Sequence, residues 1–421
     1  MQNKSQIALL TLINALVGSL LGIERSIMPM LAEQQFGIKN NLLLLAFIMA
    51  FGLSKMTINY WGGKWAMKIS RKKLLMIGWV LAIPVPFLLI FAQSWWWILL
   101  ANVFLGLQQG LAWSMTLLMK IELAGEKNRG FVAGLNEFAG YTALALSAFL
   151  SAWIAKEYGV FPYPFFLAGA IVVIALLLSS LWVKDIVKSQ EKSQVVDLQN
   201  NKMYFACSVN CIIEIFQQKN QRTVVIAGLV NNLNDALAWG VFPILLASKG
   251  FDFGQIGLIA AFYPLTWGIF QLFTGKWSDN YGRKPLMVGG MVLQGVVLLL
   301  FPWATTFIGF LFLAGLLGFG TAMVYPVFVA AIADNALPSQ KAIQLGVYRF
   351  WRDSGFVVGA LFSALLLIRF EVGVTITIIG ILTLLTGVYI QWNFKSYSIK
   401  DVKYINKNNC PNPALPQRGR S

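Results

Sequence analysis

Runs of roughly 20 apolar residues recur about twelve times along this 421-residue chain, separated by short polar segments. Each run is long enough to cross a hydrocarbon core as a helix. A β-barrel would show alternating segments of roughly 10 residues instead, and these are absent. Charged residues make up 12% of the chain and hydrophobic ones 57%. A soluble domain carries about 25% and about 45–50%. The expected fold class is therefore an all-α multi-pass membrane protein. Spanning helices are predicted near 6–31, 41–63, 74–93, 95–119, 130–153, 164–183, 223–247, 254–275, 286–304, 306–331, 343–367 and 373–393. The first run is too long for a signal peptide and lacks a small-residue cleavage site, so it reads as the first span.

The net charge of +16 is not a nucleic-acid footprint, because the basic residues sit in short segments between apolar runs. Most of them, Lys64, Lys68, Arg71, Lys72, Lys73, Lys120, Lys127 and Arg129 included, fall on the side of the amino terminus. Lys39, Lys156, Lys249 and Arg369 fall on the other. The positive-inside rule then places both termini in the cytoplasm of a cell-membrane protein. The expected organisation is a six-helix bundle over 1–183, a cytoplasmic linker over 184–222, a second six-helix bundle over 223–393 and a disordered tail over 394–421. Within the linker, residues 203–216 suit an interfacial amphipathic helix. Cys207, Cys211 and Cys410 form no disulfide framework and histidine is absent, so neither a metal site nor a cofactor is expected.

One ten-residue motif recurs with half of its residues in register. Gly275-Lys276-Trp277-Ser278-Asp279-Asn280-Tyr281-Gly282-Arg283-Lys284 and Gly63-Lys64-Trp65-Ala66-Met67-Lys68-Ile69-Ser70-Arg71-Lys72 share Gly, Lys, Trp, Arg and Lys in register. The offset of 212 persists, since Gly106 maps onto Gly318, Arg129 onto Lys341 and Gly134 onto Gly346. A repeat of half the chain length in a membrane protein indicates two homologous bundles with a ligand site between them.

In this motif the chain resembles the major facilitator superfamily, whose members carry Gly-x-x-x-Asp-(Arg/Lys)-x-Gly-(Arg/Lys)-(Arg/Lys) between helices two and three, often echoed between eight and nine. Here the echo keeps Gly275, Asp279, Gly282, Arg283 and Lys284, while the first copy has Met67 and Ser70 in place of the acid and the second glycine. The resemblance covers about residues 5–393. It implies two six-helix halves, a cavity lined by helices one, four, seven and ten, and a conformational latch at the motif. By pseudo-symmetry Asp279 is expected to face the start of the fifth helix near Arg129 and Gly130, where the helix dipole is positive. The chain departs from drug/proton antiporters of the family. Asn102 stands where their Arg-x-x-x-Gly has arginine, and no proline lies between Gly130 and Trp153.

Eight charged residues fall at membrane depth: Glu24, Arg25, Lys55, Glu137, Asp235, Arg349, Arg352 and Asp353. Left facing lipid they would cost on the order of 20 kcal/mol, so they are expected to face the interior. Asn231, Asn234 and Asp235 share one helix face and are assigned to the cavity, suited to a polar ligand or a titrating group. Arg349 and Asp353 are spaced for an i,i+4 pair, which leaves Arg352 for another partner. The 212 offset sets Glu137 against Arg349, equivalent positions of opposite charge. Glu24 and Arg25 are adjacent and point about 100° apart. Gln108, Gln109, Trp113, Tyr263, Trp267 and Gln271 are further hydrogen-bonding or stacking candidates.

The reading is a secondary transporter of a small organic molecule, not an enzyme, acting as a monomer in the lipid bilayer with protons as the coupling partner. No nucleotide-binding Gly-x-x-x-x-Gly-Lys-(Ser/Thr) loop is present. Efflux is favoured. The alternative is uptake of an organic anion drawn by Arg25, Arg349 or Arg352, and a second alternative is a membrane sensor or assembly partner without flux.

Overall fold

The computed structural model describes residues 2–124, 129–185, 215–334 and 341–395. Cys207, Cys211, Cys410, most of the expected linker helix and the side chains of Lys64, Met67, Arg129 and Lys341 lie outside the described residues. Among the described residues, twelve helices are long and apolar enough to cross a membrane. In chain order they are Asn3–Arg25, Asn41–Gly63, Arg71–Ile90, Trp95–Ala124, Phe131–Tyr158, Tyr163–Leu181, Lys219–Ser248, Phe253–Tyr281, Arg283–Trp303, Phe307–Asp334, Gln344–Leu367 and Val372–Asn393. They are numbered here as the first to the twelfth span. Large apolar side chains such as Phe87, Trp96, Leu181, Ile308 and Trp392 point outward from the bundle, as lipid contact requires.

Two spans are not the continuous helices expected. The first ends at Arg25, and a separate helix, Met28–Phe36, begins with proline in its first turn. Pro29 cannot donate to a carbonyl one turn back and disfavours helical backbone just before it, so the helix expected over 6–31 is two pieces. The third span breaks at Ile83 for the same reason, with Pro84 and Pro86 opening its second piece.

Both motif copies are mainly helical rather than loops. The second helix runs on to Lys68, and the eighth to Tyr281. The residues that end them differ. Gly282 has φ 92° and ψ 159°, a region that only glycine adopts without strain. Ser70, its counterpart, has φ −63° and ψ 148°, and its hydroxyl accepts from the Lys73 N–H as a helix cap. A different turn explains why the first copy needs no glycine there.

Behind these turns the two copies make matching contacts. Arg71 pairs with Glu122 at 3.1 Å and donates to the Ala66 carbonyl. Arg283 pairs with Asp334 at 3.0 Å and donates to the Ser278 hydroxyl. All three positions are offset by 212. Asp279 adds a 2.6 Å pair to Arg283 that the first copy, with Met67, cannot make. The Asp279 carboxylate is therefore engaged by its own motif, although the residue lines the same cavity as Phe131 and Gly134 at the start of the fifth span.

The repeat also governs packing. The first span packs on the fifth and the second on the fourth. Likewise the seventh packs on the eleventh and the eighth on the tenth. Between the sixes, the fifth packs on the eighth and the second on the eleventh, contacts that the pseudo-symmetry exchanges. The closest approaches rest on glycine. A Cβ on Gly106 would lie 2.0 Å from Ser54 Oγ and 2.4 Å from the Phe51 carbonyl oxygen. A Cβ on Gly318 would lie 2.1 Å from Thr266 Oγ1 and 2.2 Å from the Tyr263 carbonyl oxygen, the equivalent atoms. We expect Gly106→Val and Gly318→Val each to destabilise the purified protein by at least about 1–3 kcal/mol in thermal unfolding. Gly63→Val serves as the neutral control, because a Cβ on Gly63 would have nothing within 4 Å.

At the end away from the motifs, the two sixes touch through polar ties. Lys156, at the end of the fifth span, pairs with Asp252 at 3.2 Å, and Asn41 donates to the Leu367 carbonyl at 3.1 Å. Asp252 also caps the eighth span in a reciprocal box with Gln255. The Gln255 backbone N–H, then Lys156, hold its carboxyl below the ordinary aspartate range. The contact therefore persists at neutral pH and weakens as pH falls through that lowered value. Both side chains are about half exposed, which limits the pair to about 1 kcal/mol or less. Asn retains the capping oxygen, so Asp252→Asn isolates the ion pair. Nitroxide labels at positions 157 and 249, in a protein without its three cysteines, are expected to show a larger long-distance fraction in that variant, by up to about fivefold.

Candidate functional site

A cavity of about 540 Å³ lies between the two sixes. It runs from Lys55, Tyr141 and Arg352 at depth to Asp279, Arg283 and Ala333 at the motif end. Spans two, four, five, eight, ten and eleven line it, with Arg283 from the start of the ninth. Of the expected spans one, four, seven and ten, the fourth and tenth line it, and the first and seventh do not. The reason is visible at the seventh span, which packs around its circumference and is buried along most of its length.

The wall is apolar and aromatic with a few convergent polar groups, as ligand cavities commonly are. Trp113, Phe131, Tyr141 and Tyr325 supply the rings. Tyr141 stacks on Trp267 across the two sixes, with centroids 3.7 Å apart. Lys55 Nζ lies 5.3 Å from the Phe51 ring centroid and 5.0 Å from that of Phe356, within cation–π range. Arg349 reaches Ser114 at 3.5 Å, and Ser114 in turn donates to Asn59 at 3.2 Å.

Asp353 is the hub beside this cavity. Its carboxylate takes two hydrogen bonds from Arg352, at 2.9 and 2.7 Å. It also accepts from Asn59 at 2.6 Å and from Asn232 at 3.3 Å. Arg352 donates in addition to the Tyr325 hydroxyl at 2.8 Å. The expected Arg349–Asp353 pair is therefore replaced by Arg352–Asp353. Asp353 is turned inward to amides on spans two and seven, while Arg349, on the cavity side, meets span four. Arg352 is consequently neutralised within the wall.

Glu137 lines the cavity and accepts from Trp113 Nε1 at 2.8 Å and Asn136 Nδ2 at 3.2 Å. Its second oxygen is buried with no hydrogen-bond partner among the described residues. Lys55, Arg349 and Glu137 are thus the charged groups at depth that face the cavity without an ion-pair partner among the described residues.

The other assigned residues lie elsewhere. Asn231 and Asn234 bond Gln294, and Thr383 bonds Asn234, so these amides hold spans seven, nine and twelve together. The amide at the interface is Asn232, one residue away. Asp235 is fully buried behind the cavity and accepts from the Tyr263 hydroxyl, which also meets Thr321. Glu24 and Arg25 sit at the break in the first span, fully buried. Arg25 lies 4.4 Å from the Phe51 ring centroid and 4.6 Å from that of Trp239. Neither lines the cavity.

Sequence reasoning misses Asn59, Asn232 and Lys120. It counts Lys120 among the loop residues, but the side chain is fully buried near the end of the fourth span. One signal is available: Lys120 lies four residues after Thr116 and seven after Trp113, on one helix face.

A sequence profile described as Major Facilitator Superfamily matches residues 7–205 and 224–404. A Na(+), Li(+), K(+)/H(+) antiporter of Planococcus maritimus is 32% identical over 157 residues, which is 34% of this chain and 36% of that protein. The quinolone resistance protein NorA of Staphylococcus aureus is 29% identical over 119 residues, 28% of this chain and 31% of NorA. These matches span about a third of the relatives' own length. Among solved structures, a variant of the nucleoside transporter NupG superposes with a TM-score of 0.70 at 13% identity, covering 93% of this chain and all of that one. A POT family transporter in complex with 5-aminolevulinic acid gives 0.72 at 13% identity, covering 91% and 95%. At this identity the likeness concerns the fold. With a profile match over nearly its whole length and twelve apolar helices around a central cavity, the chain belongs to the Major Facilitator Superfamily and is a membrane transporter of that type.

Proposed function

We propose that this protein carries a small organic anion with an apolar or aromatic body, together with protons. The observation that carries this reading is the charge balance of the cavity at depth: Lys55 and Arg349 face it without an ion-pair partner among the described residues, against the carboxylate of Glu137, while Asp279 at the motif end is paired with Arg283. A net positive, ring-lined cavity suits a carboxylate or similar anion whose body stacks on Trp113, Tyr141 or Tyr325. Glu137, with one oxygen that has no hydrogen-bond partner among the described residues, is the proton carrier. Asp235 and Glu24, buried away from the cavity, are secondary candidates.

The two six-helix bundles, 1–183 and 223–393, rock about this site as units joined by the 184–222 linker. The distribution of basic residues orients the motif end, and with it the cavity mouth, to the cytoplasm of the cell membrane. Arg71–Glu122 and Arg283–Asp334 brace that end within each bundle, and Asp279 with Arg283 forms the stronger of the two latches. Proton and anion moving together under an inward proton gradient amount to uptake. Export is the second reading. It is favoured by the relatives, one named as a cation/proton antiporter and one as a quinolone resistance protein.

One assay separates these. A thermal-shift screen of carboxylates on purified protein identifies a stabilising anion, which is then added outside proteoliposomes containing a pH dye. Co-transport acidifies the lumen and exchange makes it alkaline. We expect acidification, its loss in Glu137→Gln, and a rise in half-saturating anion of about tenfold or more in Arg349→Ala, since a charged hydrogen bond contributes about 1.5–3 kcal/mol. Anion flux indifferent to a collapsed proton gradient would refute the coupling.

A further inference from the structure

The two seams between the bundles are chemically unlike. Where spans two and eleven meet, the wall carries Lys55, Arg349 and the hub of Arg352 and Asp353. The 212 offset sets Trp267 against Lys55 and Tyr141 against Asp353, so the seam of spans five and eight holds rings at the equivalent places. Those rings stack with centroids 3.7 Å apart, and Trp113 of the fourth span lies 5.2 Å from Tyr141.

Two glutamines flank this ring cluster. Gln271 stands one turn after Trp267 on the eighth span, and Gln109 one turn before Trp113 on the fourth, each on the same helix face as its ring. Both line the cavity, and both are almost fully buried. Gln109 Oε1 and Gln271 Nε2 have no hydrogen-bond partner among the described residues. The repeat provides an internal comparison, because the offset pairs Gln271 with Asn59 and Gln109 with Thr321. Asn59 donates to Asp353 at 2.6 Å and accepts from Ser114 at 3.2 Å. Thr321 donates to the Leu317 carbonyl at 3.0 Å and lies 3.2 Å from the Tyr263 hydroxyl. At these equivalent places the protein supplies the partners itself. A buried amide without a partner is unfavourable, and a ligand bearing the complementary group relieves it.

We propose that Gln109 and Gln271 form a neutral hydrogen-bonding subsite for the body of the transported anion. The proposal rests on the anion reading above and narrows it to a class: an aromatic carboxylate bearing a hydroxyl or carboxamide. The carboxylate lies toward Lys55 and Arg349, the ring lies against the aromatic seam, and the polar substituent meets the two amides. A primary amide both donates and accepts, which matches a hydroxyl or carboxamide and rejects a methyl group of the same size. A site built to hydrogen-bond a substituent discriminates against its absence more strongly than an apolar pocket discriminates by size. One glutamine belongs to each bundle, so a substituent bound by both spans the two halves.

Matched carboxylates test this on purified protein at fixed pH. Meta and para hydroxyphenylacetates and hydroxybenzoates are compared with their methyl counterparts by titrating thermal stability. The best hydroxyl compound should bind about fivefold or more tightly than its methyl partner. Gln109→Met and Gln271→Met, which keep an unbranched side chain, should each lower that ratio. The double variant should bring it to unity without weakening the methyl compound. Arg349→Ala should weaken both members of a pair alike and leave the ratio standing. Should the double variant fail to fold, the ratio in the two single variants decides by the same criterion. Equal binding of hydroxyl and methyl compounds by the unaltered protein, or a preference that survives both substitutions, would overturn the subsite and leave the anion reading standing. Binding of none of these carboxylates would overturn the anion reading and this proposal with it.

Discussion

Asp353 is the interaction on which the central architecture depends. It has no exposed surface, and its carboxylate collects hydrogen bonds from Arg352 on its own span, Asn232 on the seventh and Asn59 on the second. Two of these partners belong to the second bundle and one to the first. By anchoring Asn59, Asp353 also aims the chain from Ser114 to Arg349; by anchoring Arg352, it sets the hydroxyl of Tyr325. Removing one partner of a buried ion pair costs about 3–5 kcal/mol. The node holds the seam between the bundles through the Asn59 amide, the donor that comes from the first of them.

The cost of charge in hydrocarbon makes much of this readable in advance. Twelve apolar runs, their order and the repeat follow from length and hydropathy, and the inward placement of all eight membrane-depth charges follows from solvation. The errors have a common physical origin. Successive residues on a helix differ by about 100°, so taking Asn231 and Asn234 rather than Asn232 as the amides facing the other bundle is a one-residue rotation that periodicity cannot resolve in a helix polar on several sides. Arg349 and Arg352 are likewise interchangeable by spacing, and the partner across the seam decides between them. Lys120 reads as a loop residue because charge near the end of an apolar run normally marks the membrane surface. The motif reads as a loop because its composition is polar, although seven of its ten residues extend the eighth helix.

The two ends of the molecule differ in kind. At the motif end, the strong contacts lie within each bundle and leave a mouth between them. At the far end, Lys156–Asp252, Asn41–Leu367 and the rings around Arg25 join one bundle to the other. Glu24 and Arg25, desolvated behind that closed end, gain water if it opens. The single acid at Asp279 gives Arg283 of the second bundle a second carboxylate beside Asp334, whereas the first copy has Met67 at that position.

The most direct measurement is the sidedness of the cavity. Ser114 faces Arg349 across it, so Ser114→Cys in a protein lacking Cys207, Cys211 and Cys410 reports access to the site. Its rate of modification by a membrane-impermeant thiol reagent is compared in sealed vesicles of the two orientations. We expect rapid reaction from the face bearing the Gly275–Lys284 motif and slow reaction from the other, rising when Lys156→Ala and Asp252→Asn loosen the closed end. Equal rates from both faces, or reaction only from the far face, would contradict a cavity that opens at the motif end.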